Sequence, residues 1–378
     1  MLYQLYVVAG GALLFVLVRL IAAERWRFRD RGVRLTTEEA PSLSICIPAR
    51  NETNAMTECL ESVLASDYPK FEVIVLDDNS TDNTSHLIRA FAHAGVRFVQ
   101  GAQPPEGWLG KNFALEQLLE EASGRYILFL DTDTRLEVGT VSRLMALRQE
   151  RNIEMLSVIP QRTDIWRAST WCATLRHFWE IIFAWREHPG AASSAWLIDR
   201  QTLLQDVGGF THLRDAVQPE RLIAGEYAKT DDYQLIISSR ELGLRYEKKW
   251  TSHIDASLRL LYPRFGGSVI NVLIGVGLLT AVIMPQIVLL RAVFMGWNET
   301  LIPAVAIGLL AMLGLTLYHR LIWSHWWWLS WLVSPYIAWQ ELIVLVLSAI
   351  NYHRGAIRWK GRHVPLEQTR RQQSVPKR

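Results

Sequence analysis

The residues with the most evident chemistry are the carboxylates of Asp131-Thr132-Asp133. Two aspartates flanking one small residue put two oxygen donors on one side of an extended turn. That hard, oxygen-only set suits Mg²⁺ or Mn²⁺ held against phosphates. An ion there would offset diphosphate charge and stabilise it as a leaving group. Lys111, in Gly107-Trp108-Leu109-Gly110-Lys111, opens a helical stretch after a glycine-bearing loop. Its ammonium and the helix N-terminus offer a second way to neutralise the same anion. Polar clusters recur at Pro48-Ala49-Arg50-Asn51-Glu52 and at Asp77-Asp78-Asn79-Ser80-Thr81-Asp82. Turn chemistry or a helix cap accounts for any one of them alone, but three in succession ask for more. The chain contains neither G-x-x-x-x-G-K-[ST] nor G-x-G-x-x-G, so P-loop and dinucleotide sites lack their fingerprints.

The elements that must position these residues follow from the apolar pattern. Leu43–Ile47, Phe71–Leu76, Val96–Val99 and Tyr126–Leu130 read as buried strands, and Glu52–Ala65, Asp82–Ala92 and Asn112–Glu121 have helical spacing. Strand–helix alternation predicts an α/β domain, Pro41 to Asp255, with a mostly parallel sheet covered on both faces. Such sheets bind ligands at the carboxyl ends of their strands, where the polar clusters fall.

Composition separates this domain from the rest. The chain has 378 residues, of which 50% are hydrophobic and only 20% charged, with a net charge of +3. That charge is too small to argue for nucleic acid, and nothing in the sequence points to a protein partner. Cys46, Cys59 and Cys172 have no metal or disulfide spacing. Leu5–Ala23 reads as a retained membrane anchor within residues 1–23. The arginines at 25, 27, 29, 31 and 34 then make residues 24–40 a basic linker and place the following domain in the cytoplasm. Phe265–Leu290, Thr300–Tyr318 and Trp326–Tyr352 form a C-terminal membrane region, 256–353, and residues 354–378 a basic cytoplasmic tail. Three crossings would put that tail outside. Either the long first stretch breaks at Pro285, or one stretch is re-entrant or interfacial, with the Trp-rich third, bearing Glu341, the first suspect.

Taken in order, Ile47-Pro48-Ala49-Arg50-Asn51-Glu52, Asp77 to Thr84, Gly124 to Asp133, Gly208-Gly209-Phe210 and Thr230-Asp231-Asp232-Tyr233-Gln234-Leu235 resemble the cytoplasmic catalytic domain of membrane-bound family 2 glycosyltransferases of the GT-A fold. Gly107 to Asn112 and Arg259-Leu260-Leu261-Tyr262-Pro263 are more similar to a bacterial branch associated with carotenoids and hopanoids, and more distantly to ceramide glucosyltransferases. The resemblance implies that Pro48, Arg50, Glu52, Asp78, Lys111 and Asp131 bind a nucleotide-sugar, with Glu52 and Asp78 at the nucleoside. It implies Asp131 and Asp133 as ligands of Mg²⁺ or Mn²⁺. It implies Asp232 as the base, although Asp231 stands where the family has glutamate and leaves open which of the two acts. Gly208, Gly209 and Arg264 fall on the acceptor side. Processive synthases carry Gln-x-x-Arg-Trp; here Leu261-Tyr262-Pro263-Arg264-Phe265 departs from it, which disfavours a polysaccharide synthase.

Ile165–Glu187 has Trp171, Leu175, Phe178, Ile182 and Trp185 at helical spacing among Arg167, Arg176, His177 and Arg186, as in an amphipathic helix at a membrane interface. With the membrane segments, it favours a lipid acceptor. The expectation is an integral protein of a bacterial-type cell membrane, its catalytic domain cytoplasmic, that transfers hexose with inversion from a UDP-linked donor to a lipid hydroxyl. A polyprenyl-phosphate sugar synthase and a non-catalytic sugar-nucleotide scaffold are the competing readings. His188 and His253 are read as structural.

Overall fold

Aliphatic and β-branched runs pair into a seven-stranded sheet in the computed structural model, which describes residues 2–186, 188–248, 250–296, 301–360 and 362–363. β1 (Leu43–Ala49), β2 (Phe71–Asp77), β3 (Val96–Gln100) and β4 (Tyr126–Leu130) coincide with the four expected strands. They are followed by β5 (Thr134–Leu136), β6 (Met155–Ile159), β7 (Gln161–Arg162), β8 (Ala195–Asp199), β9 (Tyr233–Ile237) and β10 (Leu244–Tyr246). The large sheet has the order β3-β2-β1-β4-β8-β6-β9, and β5-β10-β7 form a small second sheet. Only β8 runs against its neighbours in the large sheet.

Side chains alternate along each strand, so both faces are covered. Ile45, Ile47, Val73, Val75 and Leu128 enter one core, which the helix Met56–Leu64 closes with Met56, Cys59, Leu60 and Val63. Cys46, Ile74, Leu76, Ile127 and Phe129 enter the other, closed by Ala114, Leu115, Leu118 and Leu119 of the helix Gly110–Glu121. In register, Ala49 pairs with Asp77, so β1 and β2 end together and deliver their loops to one edge.

Among the described residues, four helices are long and apolar enough to cross a membrane: Tyr3–Trp26, Val269–Met295, Leu301–Ile322 and Trp327–His353. Val7, Ile270, Val293, Phe294 and Ile302 are each at least 70% exposed, so apolar faces point away from the protein. Val269–Met295 is continuous through Pro285, so no break into two passes occurs there. The last helix, Ser334–His353, packs against the segment Leu175–Trp179 near its start and against the helix Trp250–Arg264 near its end. Near its start, the backbone N–H of Leu175 and the indole of Trp179 donate to Glu341 at 2.6 and 3.0 Å. Near its end, Ser348 Oγ accepts from the Tyr262 N–H at 3.0 Å, and the Tyr352 hydroxyl donates to the Arg259 carbonyl at 2.7 Å.

Residues 165–187 do not form one amphipathic helix. Ala168–Trp171 and Phe178–Ile182 are short turns, because tertiary partners take the groups a continuous helix would use. Glu341 holds the Leu175 N–H, while the Trp171 indole and the Thr170 hydroxyl donate back to the Ile165 and Asp164 carbonyls. Glu187 lies outside the described residues, as do Trp297, Thr300 and the tail beyond residue 363.

Candidate active site

The site grows from the carboxyl edge of β1, β2 and β4. Asn51 and Asn79 both take left-handed backbone angles, φ 51° and 54°, which asparagine tolerates. Their loops are cross-linked: the Asn51 N–H donates to Ser80 Oγ at 2.9 Å, and the Thr81 N–H donates to Asn51 Oδ1 at 2.8 Å. This fixes Arg50, Glu52 and Asp78 side by side. Arg50 donates to the Asp78 carbonyl, and the Glu52 N–H donates to Thr84 Oγ1 at 2.8 Å. Pro48 is the penultimate residue of β1.

At the end of β4, Lys111 Nζ lies 2.7 Å from Asp131 Oδ1, and Ser193 Oγ donates to Oδ2 at 3.5 Å. Lys248 Nζ donates to Asp133 Oδ2 at 2.8 Å. Asp133 Oδ1 is buried and has no partner among the described residues. Burial opposes ionisation of Asp133, yet Lys248 and Arg176 hold its carboxyl down at about 2. No group of three or more His, Cys, Asp or Glu converges among the described residues. An orphaned, ionised oxygen beside a second carboxylate nevertheless fits Mg²⁺ or Mn²⁺, which take one or two protein carboxylates and complete their shell with water and substrate phosphate.

The sequence-expected base is not brought here. β9 runs parallel to β6, and the Asp232 carbonyl accepts from the Glu154 and Met155 N–H groups at 2.9 and 3.0 Å. That is the amino edge of the sheet, a strand length of roughly 15 Å from the carboxyl edge. Asp231 is 79% exposed and pairs with Arg186 at 2.8 Å. Tyr233-Gln234-Leu235-Ile236-Ile237 extends as β9, since its aromatic and β-branched residues fill the pleat against β6.

A different carboxylate, Glu220, shares a pocket with Lys111. Glu220 is the second residue of the helix Pro219–Ala228, whose leading proline costs no helical hydrogen bond. It is 2% exposed, and its Oε1 has no partner among the described residues. Burial pushes its carboxyl up to about 7, with Lys111 opposing. It lines a small pocket with Lys111, Ser193, Arg259 and Trp359. The only sequence signal was a Pro-Glu at a helix start after Gly208-Gly209-Phe210.

Gly208 and Gly209 have φ 75° and 69° and make the turn that sets Phe210 edge-on against the stacked rings of Phe129 and Trp196. They line no part of the pocket with Glu220. They anchor the loop to Ala216, which Asn112 grips through its amide, donating to the Leu213, Arg214 and Ala216 carbonyls at 2.7, 3.2 and 2.8 Å. Arg264 does reach this region: it pairs with buried Glu180 and donates to Gln218 Oε1 at 3.1 Å. His253 faces buried Arg162 at 2.6 Å, and Arg162 donates to the Lys248 carbonyl at 2.9 Å, so His253 supports the site from behind. His188 makes a turn with Trp185.

A larger cavity of about 990 Å³ lies beneath, between the membrane helices and the domain. Its lining includes Phe15, Leu279, Gly308 and Met312, roofed by Leu175, Phe178, Trp179 and Ile182. From the same roof segment Arg176 points the other way, donating to Ser193 Oγ at 3.3 Å beside Asp131.

A mostly parallel sheet with paired carboxylates at its carboxyl edge is the GT-A architecture of glycosyltransferases that use nucleotide sugars. Residues 44–197 match the glycosyl transferase family 2 model, and the chain carries a domain of that family. The mannosyltransferase of Pyrobaculum calidifontis, solved in complex with GDP-Man and Mn²⁺, superposes with a TM-score of 0.60 at 18% identity, covering 93% of this chain and 98% of that one. The poly(ribitol-phosphate) beta-N-acetylglucosaminyltransferase TarS of Staphylococcus aureus is 32% identical over 30% of this chain and 20% of its own length. The GalNAc(5)-diNAcBac-PP-undecaprenol beta-1,3-glucosyltransferase of Campylobacter jejuni is 32% identical over 29% of this chain and 35% of its own. The matched region is thus about a third or less of either curated relative.

Proposed function

We propose that this protein transfers a hexose, with inversion, from a UDP-linked donor to a hydroxyl of a membrane lipid. The observation that carries the lipid acceptor is the two-sidedness of Leu175–Ile182: Leu175, Phe178, Trp179 and Ile182 face the apolar cavity, while Arg176 reaches Ser193 beside Asp131. A lipid with its chains in the cavity would present its head group to the carboxylates. The cavity's apolar walls suit acyl or isoprenoid chains, whose burial is worth about 0.8 kcal/mol per methylene.

On the donor side, Glu52 and Asp78 receive the nucleoside, and Lys111 stabilises the departing diphosphate as charge develops on it. Asp131 and Asp133 would hold Mg²⁺ or Mn²⁺, which would supply Lewis-acid stabilisation of that leaving group. Glu220 takes the role the sequence assigned to Asp232. Ionised, it accepts the acceptor hydroxyl's proton as the oxygen attacks the anomeric carbon; a carboxyl titrating near neutrality is matched to that task. Attack opposite the leaving group inverts the anomeric centre. The membrane helices and the basic linker favour a domain on the cytoplasmic face of a bacterial-type membrane.

One observation favours a second reading. Arg176 Nη1 and Arg259 Nε are buried without partners, and two such donors suit a phosphate acceptor, as in a polyprenyl-phosphate sugar synthase. The test is purified protein in lipid nanodiscs supplied with UDP-hexose and Mn²⁺. Glu220→Gln is expected to lose at least about 100-fold in turnover with a hydroxyl acceptor. A phosphate acceptor needs no base, so full activity of that variant would favour the second reading.

A further inference from the structure

The chain after the last membrane-type helix returns to the donor side of the site. β11 (Arg358–Trp359) and β12 (Arg362–His363) form a tight hairpin, pairing Arg358 with His363 and Trp359 with Arg362. Its base is anchored: Ile357 is 4% exposed, and Arg259 lies over the Trp359 ring at 5.3 Å. Its tip lies on the carboxylates read above as nucleoside contacts. Arg362 Nη1 donates to Asp78 Oδ1 at 3.0 Å and Oδ2 at 2.8 Å, and Nη2 donates to Oδ1 at 3.0 Å. Lys360 Nζ donates to the Glu52 carboxylate and to the Arg50 carbonyl, and Arg50 Nε returns a bond to the Lys360 carbonyl at 3.3 Å.

One further feature marks this seat as specific. A Cβ on Gly110 would collide with Arg362 Nη1 and meet Asp78 Oδ2 at 3.1 Å, so the guanidinium fits only because position 110 carries no side chain.

We propose that the hairpin Arg358–His363 is a latch on the nucleoside half of the donor site, competing with the nucleoside diphosphate for the carboxylates of Asp78 and Glu52. The proposal rests on the reading of those two residues as nucleoside contacts. An ionised carboxylate offers about four lone-pair sites, and Arg362 makes three contacts to Asp78, which is only 4% exposed. A base or ribose donor reaches Asp78 once Arg362 withdraws, and Glu52 once Lys360 does. The anchored base and the charged tip allow the tip to lift while Ile357 stays buried. If the latch is seated about nine-tenths of the time, it weakens donor binding about tenfold, because apparent affinity scales with the competent fraction. Donor and latch therefore set each other's occupancy, and half-saturation needs about tenfold more donor than an open site would.

The test is calorimetric titration of UDP with Mn²⁺ into the full chain in nanodiscs, comparing wild type, the Lys360→Ala/Arg362→Ala pair and Arg362→Glu. A latch predicts Kd lowered about fivefold or more in both variants. It also predicts that UDP speeds amide exchange of residues 358–360 in the wild type. Unchanged or weaker UDP binding in both variants, or UDP-induced protection of the hairpin, would overturn it. Adding Asp78→Asn to the latch-free pair separates the two claims. Lost UDP affinity there upholds the donor-site reading whatever the latch result, whereas unchanged affinity defeats that reading and the latch with it.

Discussion

Lys248 Nζ lies 2.8 Å from Asp133 Oδ2, while the other oxygen of that carboxylate is buried and unpartnered. One oxygen is thus balanced by the protein and the other left available to a ligand. Asp133→Asn removes both functions and strands a half-buried ammonium, for which losses of about 3–5 kcal/mol are usual when one partner of a buried pair is deleted. Asp133→Asn is therefore expected to unfold at lower temperature than wild type, and Asp133→Asn/Lys248→Met to recover at least half of the difference. Neither should gain thermal stability from UDP with Mn²⁺, whereas wild type should. A Mn²⁺-dependent gain in the double variant would argue against metal binding at Asp133.

Glu220 gives a pH signature. Burial raises its carboxyl to about 7, so the ionised base forms as pH climbs through that value. The kcat/KM for transfer should rise across the same window and lose that limb in Glu220→Gln. Stability runs the other way. The folded-state value lies above the unfolded one, so the protonated carboxyl's contribution is complete below about 4.5 and is lost as pH rises through 7. Glu220→Gln should accordingly be at least as stable as wild type at pH 8, which separates lost catalysis from unfolding.

Gly308 lines the apolar cavity, and a Cβ there would meet nothing within 4 Å. Gly308→Phe can therefore place a ring in the cavity without backbone strain. The KM for the lipid acceptor should rise roughly tenfold, about 1.4 kcal/mol of lost chain burial, while the donor KM stays put. Equal KM values for the lipid in steady-state assays would remove the cavity from the acceptor path.

The hairpin that follows the last helix contacts Asp78, so Arg354 is expected on the same side of a membrane as the α/β domain. In sealed vesicles, an impermeant maleimide should label Arg354→Cys and Glu58→Cys from the same side and Met295→Cys from the other. Labelling of Arg354→Cys together with Met295→Cys would require the last helix to cross.

Much of this was legible in the sequence because local chemistry decided it. Buried apolar runs can only be paired strands, and Asp131, Asp133, Glu52 and Asp78 follow directly where such strands end. The placement of Glu220 was not legible. Asp231-Asp232 carries the family-like spelling, but the Tyr233 to Ile237 run after it pairs with β6, and that pairing is non-local. Glu220 has no distinguishing neighbours except the proline that starts its helix. Its relation to Lys111 depends on the grip of Asn112 on the loop to Ala216, about a hundred residues away. Arg362 and Lys360 read as members of a basic tail, since charge counts do not reveal which carboxylates a segment folds back to meet. The amphipathic reading of 165–187 failed for a related reason: its spacing was helical, but Glu341 and the domain core claimed its backbone groups.

The central claim is that a membrane lipid receives the sugar. Mass spectrometry of total membrane lipids should be compared between cells producing the wild-type chain, cells producing Asp133→Ala or Glu220→Gln, and cells without the protein. The account predicts a lipid heavier by one hexose in the first alone. An unchanged lipid profile, with labelled hexose from UDP-hexose recovered only in a water-soluble product, would contradict it.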